Sequence, residues 1–90
     1  MEIKQIASAG TMESSDVFVE IEPGVDGVKL QLESVVMGQF GEAVAQTVMD
    51  VLREQAVENA NVRVVDRGAL ECVIRARVET AVHRGKGDAQ

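Results

Sequence analysis

Neither tryptophan nor tyrosine occurs among the 90 residues, and there are only two phenylalanines. Any core must therefore be assembled from Val, Leu, Ile, Met and Ala. A single histidine, His83, and a single cysteine, Cys72, exclude an internal disulfide and a zinc site of ordinary composition built by this chain alone. Basic residues are also scarce: nine Lys and Arg stand against 15 Asp and Glu, a net charge of -6. That balance disfavours nucleic acid, which is bound through clustered Lys and Arg, and it disfavours an anionic membrane surface. No apolar run approaches the length that spans a bilayer. The opening MEIKQIASAG lacks the basic start and apolar block of a secretory signal, which points to a cytoplasmic protein. Phosphate loops and paired carboxylates are missing too. Gly24 and Gly27 belong to a turn, Gly38 and Gly41 stand without the rest of a nucleotide fingerprint, and the acids are scattered over separate segments.

What is present suits one small domain over residues 1–90 with a modest core and a frayed tail from Gly85 to Gln90. The apolar content of 46% is ordinary for a globular chain. Ile3 to Ala9 gives a faint edge-strand signal. Val17, Val19 and Ile21 alternate with Phe18 and Glu20, and Glu22-Pro23-Gly24 ends that strand. After Asp26-Gly27, Val28, Leu30 and Leu32 alternate with Lys29, Gln31 and Glu33, so the two runs are expected to pair as an antiparallel hairpin. From about Val36 the period becomes helical. Phe40, Val44, Val48, Val51 and Leu52 share one side, and Asn59 and Asn61 suit the helix's end. Val62 to Val65 forms a further strand, with the helix crossing over the sheet to reach it.

Residues 69 to 84 fit both periods. Glu71 with Arg75, Arg75 with Glu79, and the stripe Leu70, Val73, Ile74, Val78 and Ala81 favour a helix. Arg77 then falls inside the stripe, where a charge requires a route to solvent or a partner. The expected class is α+β: a small antiparallel or mixed sheet of three strands plus a possible N-terminal edge strand, two helices on one face, order β-β-β-α-β-α.

Candidate chemistry is sparse. Cys72 lies among apolar neighbours and is expected to be a small core residue, and His83 suits a helix C-terminus. A hydrolase built from Ser14, Asp16 and His83 has no supporting spacing. GTMESSDV, residues 10 to 17, reads locally as a polar turn whose Ser and Asp side chains bond nearby backbone.

That stretch, with Ala9 before it, resembles the attachment segment of the acyl carrier subunit, or gamma chain, of citrate lyase. The family pattern is Ala-Gly-Thr, an aliphatic residue, Glu-Ser, a small residue, then Asp-Val. Gln39-Phe40-Gly41 is similar to the family's QFG, Asp66 to Cys72 to its D-K-G-A-L-D-C, and Arg75-Ala76-Arg77 to its basic-Ala-Arg segment. Met12 replaces the commoner Leu, and Ser15 stands where family members often have Gly.

The resemblance implies a non-catalytic carrier whose Ser14 holds a phosphoribosyl-dephospho-CoA group through a phosphodiester. It implies acetyl and citryl thioesters on that arm during cleavage of citrate to acetate and oxaloacetate. The implied partners are the alpha (acyl transferase) and beta (citryl lyase) subunits, a prosthetic-group transferase, and an acetate ligase that charges the thiol. Glu13, Asp16, Glu20 and Glu22 would then steer basic partner surfaces. The malonate decarboxylase carrier is the nearest alternative, with Gly-Ala-Leu-Glu-Cys favouring citrate lyase. An unmodified interaction domain is the alternative from another class.

Overall fold

A computed structural model describes residues 2–35 and 39–87. Its elements run β1 (Ala7–Gly10), β2 (Val17–Pro23), β3 (Val28–Ser34), α1 (Gln39–Glu54), β4 (Ala60–Asp66) and α2 (Glu71–Gly85). This is the expected α+β order. The sheet order is β1-β2-β4-β3, with β1 as the edge strand anticipated near the N-terminus, although it begins at Ala7 and not at Ile3.

The expected β2–β3 hairpin does not form. β4 lies between them, antiparallel to β2 (Val19 opposite Val64) and parallel to β3 (Leu32 opposite Val64). The loop 24–27 straddles the start of β4. The Gly27 carbonyl accepts from Ala60 N at 3.2 Å, and Gly27 N donates to Asn59 Oδ1 at 2.8 Å. Gly24 passes so close that a Cβ there would come within 2.9 Å of the Ala60 carbonyl carbon. Asp26 and Gly27 take φ of +61° and +96° to make the turn. Four residues thus span two strand spacings, about 10 Å. β4 has apolar side chains on both faces, as a central strand requires: Val62 and Val64 point to the core and Val65 to the other side, all buried.

On the covered face, Val17, Val19 and Ile21 of β2 meet Ala60, Val62 and Val64 of β4. α2 packs over β1 and β2, and α1 packs against α2 and β3. The helices contribute Val44, Val48, Val51, Leu52, Ile74, Val78, Ala81 and Val82. The open face carries Glu20, Glu22, Lys29, Gln31, Asn61 and Arg63.

Residues 71–85 are helical as expected, but the pairs that favoured a helix are not what holds it. Arg75 instead bonds Glu54 of α1, tying the two helices together. Phe40 and Leu70 lie outside the covered stripes, 62% and 72% exposed. α1 ends at Glu54, and Ala56, at φ +58°, is the left-handed residue after it, in place of the asparagines. Asn61 lies within β4.

Gly85, expected in the tail, is the buried last residue of α2, and its carbonyl accepts from Lys4 N and Gln5 N at 2.9 and 3.1 Å. Residues 36–38 and 88–90, where the sequence placed the helix start and the tail's end, lie outside the described residues.

Candidate functional site

The loop between β1 and β2 is shaped by close backbone contact. Gly10 closes β1 at φ +89°, and a Cβ there would sit 1.8 Å from the Val17 carbonyl oxygen, so no other residue fits without displacing the strand. Asp16 N donates to the Glu13 carbonyl at 3.1 Å, closing a turn with Ser14 and Ser15 at its tip. Ser15 takes φ +66°. Two further bonds fasten this turn to the start of the β4–α2 connection. Ser15 N donates to the Arg67 carbonyl, and Arg67 N to the Asp16 carbonyl, each at 2.9 Å.

Asp16 is the organising side chain. Its Oδ2 accepts from Thr11 Oγ1 at 2.8 Å and Arg77 Nη2 at 3.1 Å, and its Oδ1 accepts from Val17 N at 2.7 Å and Arg77 Nε at 3.2 Å. Four donors around one carboxylate favour its charged form. The Thr11 hydroxyl and the Val17 amide, with lesser help from Arg77, lower its pKa from 3.8 to about 2, against an opposing effect of burial. This pairing resolves the awkward position of Arg77: its stem lies against Gly10 and its head reaches the carboxylate.

Ser14 is left exposed, and its hydroxyl takes part in no hydrogen bond among the described residues. A primary hydroxyl presented this way, on a turn braced from both sides, suits a phosphodiester. It is accessible and is not spent on internal bonding, and esterifying it would remove nothing from the core.

A second braced turn adjoins the first. Asp66, 1% exposed, accepts from Ser34 Oγ at 2.8 Å and from Gly68 N and Ala69 N at 3.2 and 3.0 Å. It shapes the connection on which the Ser14 turn leans. Neither its role nor that of Thr11 was visible in the sequence. The sequence signal for Arg77 was its place in an apolar stripe.

The other candidates fall apart. His83 lies in the last turn of α2, six residues beyond Arg77, about 9 Å along the axis. Asp16 is occupied by Arg77, so Ser14, Asp16 and His83 do not converge. Cys72 is exposed, not a core residue, because it points away from the face of α2 that buries Ile74, Val78, Ala81 and Val82. No group of three metal-ligating residues exists among the described residues, and no helix there is long and apolar enough to cross a membrane. The four acids expected to steer partners do not form one patch. Asp16 is matched by Arg77, while Glu20 and Glu22 share the open sheet face with Lys29 and Arg63.

Comparison with known proteins supplies the context for this geometry. The family model described as malonate decarboxylase delta subunit (MdcD) matches residues 4–85. Curated relatives include the citrate lyase acyl carrier protein of Klebsiella pneumoniae, 50% identical over 100% of this chain and 94% of that protein. Those of Lactococcus lactis (51%, covering 93% and 88%) and Latilactobacillus sakei (46%, covering 97% and 86%) carry the same name. A solved structure, a Pseudomonas malonate decarboxylase hetero-tetramer in complex with malonate, contains a chain of the same fold. It has a TM-score of 0.78 at 24% identity, covering 93% of this chain and 87% of that one. The class is thereby defined: a non-catalytic acyl carrier. The chain belongs to the family of the citrate lyase acyl carrier proteins.

Proposed function

We propose that this chain is the acyl carrier subunit of citrate lyase and that Ser14 bears a phosphoribosyl-dephospho-CoA group through a phosphodiester. The observation that carries the assignment is the contrast between the two serines. Both hydroxyls are exposed, but Ser15 takes the left-handed conformation, φ +66°, that favours glycine over any side chain, and its amide is held by the Arg67 carbonyl, whereas Ser14 is under neither constraint. A position that accepts glycine does not supply the bond.

When bound, the group supplies the thiol that carries acyl groups, so the chain itself needs no nucleophile or general base. The chain's own residues hold the attachment point. Gly10 sets the path, the Asp16 carboxylate gathers Thr11 and Arg77, and Arg67 fastens the turn to the neighbouring connection. A rigid base keeps the arm's origin fixed relative to docked partners, which raises the effective concentration of its reactive end at their sites. The partners that follow from this reading are the alpha and beta subunits, the prosthetic-group transferase and an acetate ligase. The setting is the cytoplasm.

Intact mass after co-production with the transferase tests the assignment. The wild-type and Ser15→Ala chains are expected to gain one prosthetic group and Ser14→Ala none. A gain in Ser14→Ala that Ser15→Ala lacks would move the bond to the neighbour, and no gain in any chain would sink the carrier-arm reading. The family model's description also favours a second reading, the carrier of malonate decarboxylase. Reconstitution with each set of partner subunits separates the two, citrate cleavage being expected and malonate decarboxylation not.

A further inference from the structure

The end of the molecule that carries Ser14 also exposes unusual apolar surface. The C-terminal ends of β1, β3 and β4 and the first turns of both helices meet there. Of the exposed large apolar side chains among the described residues, Met12, Val35, Phe40 and Leu70 lie at this end, and Ile6 and Val25 at the other. Between the first turns of α1 and α2 is a hollow of about 220 Å³. Phe40, Ala43, Val44, Ala69 and Ile74 supply its apolar wall, while Thr47, Asp66 and Glu71 supply polar atoms.

This hollow is connected to Ser14 by short, bonded steps. Ser15 and Asp16 are paired to Arg67, and Ala69, two residues on, forms part of the wall. One residue of chain from Ser14, one strand-like pairing and two further residues place that wall within about 16 Å of Ser14. The arm exceeds this span, because phosphoribosyl and nucleotide groups separate Ser14 from the pantetheine branch, and that branch reaches the wall by folding back. Its chemistry also matches: a dimethyl group and methylenes for the apolar wall, with amides facing the polar atoms. The volume suits part of that branch.

We infer that this hollow is the resting berth of the chain's own arm, holding the apolar part of its pantetheine branch between deliveries. The inference rests on the assignment of an arm to Ser14. Docking there covers Phe40, otherwise 62% exposed, and removes part of the arm from water. It also holds the thiol near the carrier until a partner draws it out, a population shift governed by the partner's greater affinity for the arm.

The test uses the full chain in a Cys72→Ser background, so that the arm carries the one thiol present. Intact mass first establishes loading, and failure at that step counts against the arm and not against the berth. Amide spectra of loaded and unloaded chains are then expected to differ at Ala43, Val44, Thr47, Ala69 and Ile74. Differences confined to residues 11–17 and 67 would overturn the inference. Ala43 is exposed on α1, so Ala43→Glu keeps the helix while placing a carboxylate in the hollow. It is expected to speed reaction of the arm's thiol with Ellman's reagent roughly threefold or more, as the protected population falls. An unchanged rate would equally overturn the berth.

Discussion

Ser15 sits at φ +66°, where a Cβ is strained and glycine is not. Ser15→Gly is therefore expected to stabilise the chain by about 0.5–1 kcal/mol, seen as a raised urea midpoint, while the mass gain at Ser14 persists. A lowered midpoint would mean that the Ser15 side chain contributes something its geometry does not show. Asp16 gives the pH prediction. Its pKa is lowered on folding, so the stability it contributes is complete above about pH 4 and is lost as pH falls towards about 2. The stability difference between wild type and Asp16→Asn should shrink across that window when denaturation is followed at successive pH values. A difference that stays constant would show that the carboxylate's charge is not what holds the loop. The polar turn was legible in the sequence, but its bracing was not. Asp16 and Arg77 lie 61 positions apart, and no local pattern reports such a pair.

Among the elements, alternation correctly gave the faces of β2 and β3, since period two follows from the strand backbone itself. It could not give their neighbours. A strand's face pattern is the same whichever strand lies beside it, and four loop residues serve either a wide hairpin or a straddle across β4. Phe40 and Leu70 were misplaced for a related reason. Helical period reports direction around the axis, not how far the partner layer extends beneath it. The β4–α2 connection is more specific in its demands. Asp66→Ala leaves the Gly68 and Ala69 amides and the Ser34 hydroxyl without this acceptor, and is expected to destabilise by about 2–4 kcal/mol in chemical denaturation. Asp66→Asn, which keeps an acceptor oxygen, should lose less. Equal losses would indicate that charge, not hydrogen bonding, sets the turn.

Across the whole molecule, the late position of β4 in the chain makes the fold indivisible. Residues 1–56 contain β1, β2, β3 and α1 but lack the strand that joins β2 to β3. That fragment is expected to show narrow amide dispersion and no cooperative thermal transition, because α1 and β3 lose their connection to the rest of the core. A folded fragment would restore the hairpin that the sequence alone suggested.

The bonds from Lys4 and Gln5 to the Gly85 carbonyl bring the two ends of the described fold side by side, at the pole farthest from Ser14. A short linker there would convert the chain into a circular permutant reopened at the 24–27 loop. A fluorescent reporter fused at that pole would leave the serine's approaches clear, making the carrier a natural chassis for watching its own delivery cycle.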